Sequence, residues 1–116
     1  MHQIRFSFSK KFRLSHCNHF KKIFQKSIKL SIYNMIVLST KNHLSHPRLG
    51  IIISKKVSKS SCKRNTIKRF IRESFRLSQN YLYNMDYIVL VRPKIMYYKR
   101  CLLIKNIKLL WMYYYQ

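Results

Sequence analysis

Acid is almost missing from this sequence. Of its 116 residues only Glu73 and Asp86 carry side-chain carboxylates, against 25 lysines and arginines, so the net charge is +23. Acid and base catalysis by a carboxylate pair would need these two to meet. Glu73 lies among arginines instead, where an intrahelical pair with Arg69 or Arg76 is the simpler expectation. Glycine is as scarce: with Gly50 alone, no glycine-rich loop can cradle a phosphate, and side chains must meet it. The cysteines, Cys17, Cys62 and Cys101, are odd in number and lack C-x-x-C spacing, which fits reduced thiols in an intracellular protein better than a disulfide framework. His16, Cys17 and His19 have no second ligand pair at a metal-binding spacing, so no metal site is expected on the protein. Long apolar runs are absent too. Residues 51–53 and 87–91 are strand-sized, far below the roughly 20 residues of a membrane-spanning helix. The N-terminal residues lack the apolar stretch of a secretory signal.

What remains is substantial. Hydrophobic residues make up 47% of the chain and aromatics 15%, enough for one core, so residues 1–116 read as one domain with a basic N-terminal arm over 1–13. A charge this large disfavours compaction, and no internal pairing can relieve it. A polyanion outside the chain must do so: nucleic acid or an anionic membrane surface. Alanine is missing while Ile, Lys, Asn and Tyr abound, as AT-rich coding produces, so part of the lysine content reflects composition rather than contact.

Periodicity places the elements. A helix follows Ser15, with Phe20, Ile23 and Phe24 on one face; spacing alone assigns the two rings to packing, although rings flanked by lysines can also stack on bases. Residues 32–39 read as a strand and 40–47 as a loop, with room for a further hairpin segment within 28–47. A second strand starts at Arg48, and its unbroken apolar run predicts burial on both faces rather than a solvated edge. The polar stretch 54–62 leads into the strongest helix signal, residues 63–79. Ile67, Phe70, Ile71, Ser74 and Phe75 share one arc of that helix, and Arg64, Asn65, Lys68, Arg69, Arg72 and Arg76 fill most of the opposite one. A third strand over 86–92 and a closing helix over 100–115 complete an α+β order. A cationic stripe of one sign is unfavourable in isolation and is relieved by a polyphosphate track. Arginine forks together with Asn65 suit structured RNA better than a membrane surface.

The segment HPRLGIIISKKVSKSSCKRNTIKRFIRESFR over 46–76, with NMDYIVLVRPK over 84–94 and FRLSHCNHFKKIFQ over 12–25, resembles the protein component of bacterial ribonuclease P. The resemblance implies a two-layer α/β sandwich on a mostly antiparallel sheet with a left-handed β-α-β crossover. It also implies a role beside a catalytic RNA that removes the 5′ leader of precursor tRNA, one protein per RNA, in the cytoplasm and away from membranes. Catalysis and magnesium would belong to the RNA, with no cofactor held by the protein alone. Carried over by position, Lys55, Lys56, Arg64, Asn65, Lys68, Arg69 and Arg72 would contact the RNA, and Phe20 and Phe24 would line the cleft for the leader. Where the family's signature helix has a second arginine this chain has Thr66, which predicts weaker RNA affinity offset by scattered lysines. A ribosomal or other structural RNA-binding protein is the alternative that composition allows.

Overall fold

Two consecutive residues with left-handed backbone, Tyr33 (φ 53°) and Asn34 (φ 59°), reverse the chain early. Such a pair fits a type I′ turn, whose twist matches that of the strands it joins. The Asn34 side chain donates to the Tyr98 hydroxyl (2.6 Å), and its carbonyl accepts from the Arg92 N–H (3.0 Å), so both ends of the residue are held. The result is an antiparallel hairpin of β1 (Ile28–Ile32) and β2 (Met35–Lys41). The strand expected over 32–39 is β2, shifted a few residues toward the C-terminus, and the further hairpin segment allowed for within 28–47 is β1. The computed structural model describes residues 27–116, the side chain of Tyr97 excepted; the basic arm, the helix after Ser15 and its Phe20 and Phe24 lie outside the described residues.

Next come β3 (Arg48–Ile52), α1 (Ser61–Ser78) and β4 (Met85–Val91), then a 3-10 turn (Pro93–Tyr97) and α2 (Arg100–Met112). The sheet order is β1-β2-β4-β3, with β4 antiparallel to β2 and parallel to β3. β3, α1 and β4 therefore form the expected parallel β-α-β unit. The strand expected to be buried on both faces is nonetheless laterally open among the described residues, where β3 pairs with β4 alone and ends the strand order. Its apolar run follows from its two faces. Leu49 and Ile51 pack into the main core on one face, while Ile52 joins Leu38 and Ile88 on the other. Alternate residues of a strand face opposite ways, so a strand with apolar surroundings on both faces reads the same at an edge as inside.

Both helices pack on one face of the sheet. Ile67, Ile71 and Phe75 of α1 and Leu103, Ile107, Leu110 and Trp111 of α2 share a core with Met35, Val37, Tyr87 and Val89. At its centre Trp111, fully buried, meets Phe75 and Tyr87 edge-on at ring separations of 5.4 and 5.7 Å. Such arrangements place the electropositive ring edge against an electron-rich face. The layered α+β architecture is the expected one. After α2 the chain turns back. The Tyr83 N–H donates to the Tyr114 carbonyl (3.0 Å) and the Gln116 N–H to the Tyr81 carbonyl (2.8 Å), clasping the terminal residues to the α1–β4 connection. The second acid is internal. Asp86 of β4 accepts two bonds from the Arg48 guanidinium (2.8 and 2.6 Å) and one from the Asn42 amide (2.9 Å), joining β4, β3 and the β2–β3 loop. Among the described residues no helix is long and apolar enough to cross a membrane.

Candidate nucleic-acid interface

Ser60 starts α1. Its hydroxyl accepts from the Lys63 N–H (3.3 Å), so the helix begins two residues before the position expected from periodicity. A serine cap satisfies one of the N–H groups that the first turn leaves unpaired. Just before it, the turn carrying Lys55 and Lys56 is closed by a bond from the Val57 N–H to the Ser54 carbonyl (3.0 Å). Val57 is buried there and both lysines are left exposed. Apolar anchoring of a polar turn fixes where its charges point.

Along the outer side of α1 runs an open groove of about 580 Å³, lined by Cys62, Asn65, Thr66, Arg69, Arg72, Glu73 and Arg76. Three residues expected to contact RNA, Asn65, Arg69 and Arg72, meet in it, all exposed. Two others do not. Arg64 and Lys68, one helical turn apart, are half-buried on the flank nearer the core, and Arg64 is tied down by a bond from Nη1 to the Ser58 carbonyl (2.7 Å). The stripe expected opposite the core therefore divides into a groove row and a flank row. Arg76, visible in the helical pattern, belongs to the groove row. Glu73 lies there as well, engaged by Arg76 through a bidentate ion pair whose Nε–Oε2 bond is 3.2 Å. The hydrogen bond from Arg76 holds the Glu73 carboxyl below its ordinary range. Thr66 closes the list: its hydroxyl donates to the Cys62 carbonyl (2.9 Å), inside the helix.

The electrostatics follow from the scarcity of acid. Glu73 pairs with Arg76 and Asp86 with Arg48, and the sequence contains no third side-chain carboxylate. Arg69, Arg72, Lys55 and Lys56 therefore present charge with no carboxylate to neutralise it. Exposed guanidinium groups in a row offer planar, paired N–H donors that match phosphate oxygens. No group of three or more His, Cys, Asp or Glu side chains that could hold a metal ion occurs among the described residues.

The comparisons with known proteins agree with this geometry. The family model described as Ribonuclease P matches residues 8–115. The ribonuclease P protein component of Baumannia cicadellinicola is 40% identical over 113 residues, covering 97% of this chain and 98% of the relative. Among solved structures, the RNase P protein of Staphylococcus aureus superposes with a TM-score of 0.80 at 29% identity, covering 88% of this chain and 93% of that one. The RNase P protein of Thermotoga maritima does so with a TM-score of 0.76 at 25% identity, covering 90% and 98%. With its β-α-β unit carrying a row of arginines of which Arg76 alone is paired with a carboxylate, and its likeness running almost from end to end, the chain belongs to the ribonuclease P protein component family.

Proposed function

We propose that this protein is the subunit that binds the catalytic RNA of ribonuclease P and the 5′ leader of precursor tRNA, assisting removal of the leader. The observation that carries the reading is the groove row Asn65, Arg69 and Arg72, exposed opposite the core face of α1 and without carboxylate partners beyond the Glu73–Arg76 pair. Asn65, Arg69 and Arg72 take the RNA backbone, Lys68 adds charge from the flank, and Lys55 and Lys56 extend the track beyond the helix start. Arg64, fixed by Ser58, steadies the first turn while its remaining donors face the RNA. The leader is assigned to Phe20 and Phe24 on the resemblance alone. Magnesium and the cleavage step belong to the RNA: hydrolysis of a phosphodiester bond needs metal ligands and a positioned water, and this chain has no spare carboxylate to hold either. One protein acts with each catalytic RNA, in the cytoplasm.

The test is reconstitution. Precursor tRNA cleavage by the cognate catalytic RNA at low magnesium is measured with the parent protein and with an Arg69→Ala, Arg72→Ala double variant, whose fold is checked by thermal melting. The expected result is stimulation by the parent and its loss in the variant at an unchanged melting temperature. RNA binding without stimulation would replace the processing role with that of a structural RNA-binding protein.

A further inference from the structure

Beside the outer groove lies a second, of about 260 Å³, on the flank of α1 that faces α2 and the 3-10 turn. Lys63, Thr66, Phe70, Met96, Arg100 and Leu103 are among the residues lining it. Thr66 lines both grooves, so the two adjoin across this one neutral side chain. Phe70 sits between their cations: the Arg69 guanidinium carbon stands 5.8 Å from its ring centroid and that of Arg100 stands 5.2 Å away. Such cation–ring contact fixes a guanidinium in place without using up its N–H donors. Arg100 is exposed, and its side chain has no ion-pair partner among the described residues.

Helix stability does not account for Arg100. It opens α2 directly after Lys99, in a first turn with no acidic residue and no side-chain cap. A cation in that position is disfavoured by the dipole of its own helix. Lys63, exposed in the first turn of α1, is placed in the same unfavourable way on the opposite wall of the groove. Two cations lining one groove whose other walls are mostly apolar repel, and an anion bound in the groove removes the repulsion.

We infer that the RNA track turns off the outer face of α1 across Thr66 into this second groove, where Lys63 and Arg100 bind the phosphodiester backbone and Phe70 holds the Arg100 guanidinium in position. The inference rests on the RNA-binding role proposed above and adds two contact residues to it. It also gives Thr66 a different meaning: the charge this position lacks is supplied from α2.

Affinity for the cognate catalytic RNA, measured over a series of salt concentrations by filter binding, tests this. Arg100→Ala is expected to bind several-fold more weakly at moderate salt. Its slope of log affinity against log salt should fall by roughly 0.7–0.9, the release expected for one phosphate contact. Adding Thr66→Arg to Arg100→Ala should restore most of the lost affinity, because position 66 lines the same groove. Lys108→Ala removes an equal charge from a different surface, beside Leu77 and Met112, and should change neither quantity. The inference is overturned if Arg100→Ala keeps parental affinity and slope, or loses no more than Lys108→Ala. It is equally overturned if Thr66→Arg restores nothing, since the loss then reflects damaged packing on Phe70. Failure of the parent itself to bind the RNA would instead remove the functional reading on which the inference stands.

Discussion

Asp86 and Glu73 show how differently two carboxylates act in a chain that has no others. Asp86 is buried, and Asn42, which it binds, also donates to the His46 carbonyl (3.1 Å) and accepts from the Leu44 N–H (3.0 Å), so one acid organises the whole β2–β3 loop. Asp86→Ala leaves the largely buried Arg48 guanidinium unpaired and is expected to cost about 3–5 kcal/mol, read from urea denaturation. Glu73 is exposed, and its value to the fold is small. Its effect on RNA binding is larger, because it is the only carboxylate lining the arginine groove. Glu73→Gln is expected to raise RNA affinity a few-fold at low salt. The pH dependence has a fixed sign. Arg76 lowers the folded pKa of Glu73, so the pair's contribution to stability is present above the ordinary carboxylate pKa and is lost as pH falls through the lowered value. Over that same fall RNA binding by the parent should strengthen as the groove loses its negative charge, and titration of Glu73→Gln should lack this component.

Among the elements, α1 matters most, since it carries both the core face and the groove. Removing its cap by Ser60→Ala should cost about 1 kcal/mol, within a range of roughly 0.5–2, measured by thermal or chemical denaturation. The face division of α1 was legible in the sequence because a period of 3.6 residues orders Ile67, Ile71 and Phe75 directly against Arg69 and Arg72. The place of Arg64 was not, because it depends on the Ser58 carbonyl, and a backbone acceptor leaves no mark on residue type. The turn at Tyr33 and Asn34 escaped for a related reason: without glycine, left-handed backbone has no strong signature. The place of β3 at the end of the described strand order was hidden because apolar residues at Leu49, Ile51 and Ile52 report surroundings above and below the sheet, whereas edge or interior is decided by lateral neighbours. Arg100 went unmarked as a site residue because its role rests on a contact with Phe70, thirty positions earlier and on another helix.

For the molecule as a whole, one charge of +23 acts in two directions. Self-repulsion strains the free protein, and salt screens it, with a Debye length of about 10 Å at 0.1 M. The melting temperature of the protein alone is therefore expected to rise as sodium chloride is increased from about 0.05 to 0.5 M, while affinity for RNA falls over the same range. Calorimetry and filter binding on matched samples would check the pair of trends; a melting temperature that fell with salt would mean that self-repulsion is not the dominant strain.

The strand order has a consequence in time. Synthesis supplies β1, β2, β3 and then β4, yet the sheet places the last of these between β2 and β3. A nascent chain that has reached only the end of α1 holds one complete hairpin, while β3 has yet to meet β4, its partner among the described residues. The inner edge of β2 and the apolar side chains of Leu49, Ile51 and Ile52 then stand open together, the condition under which unpaired edges associate with other chains. Emergence of residues 85–91 ends that exposure on both sides at once, so this sheet is completed from its middle, and the interval before β4 arrives is when the protein is most vulnerable to aggregation.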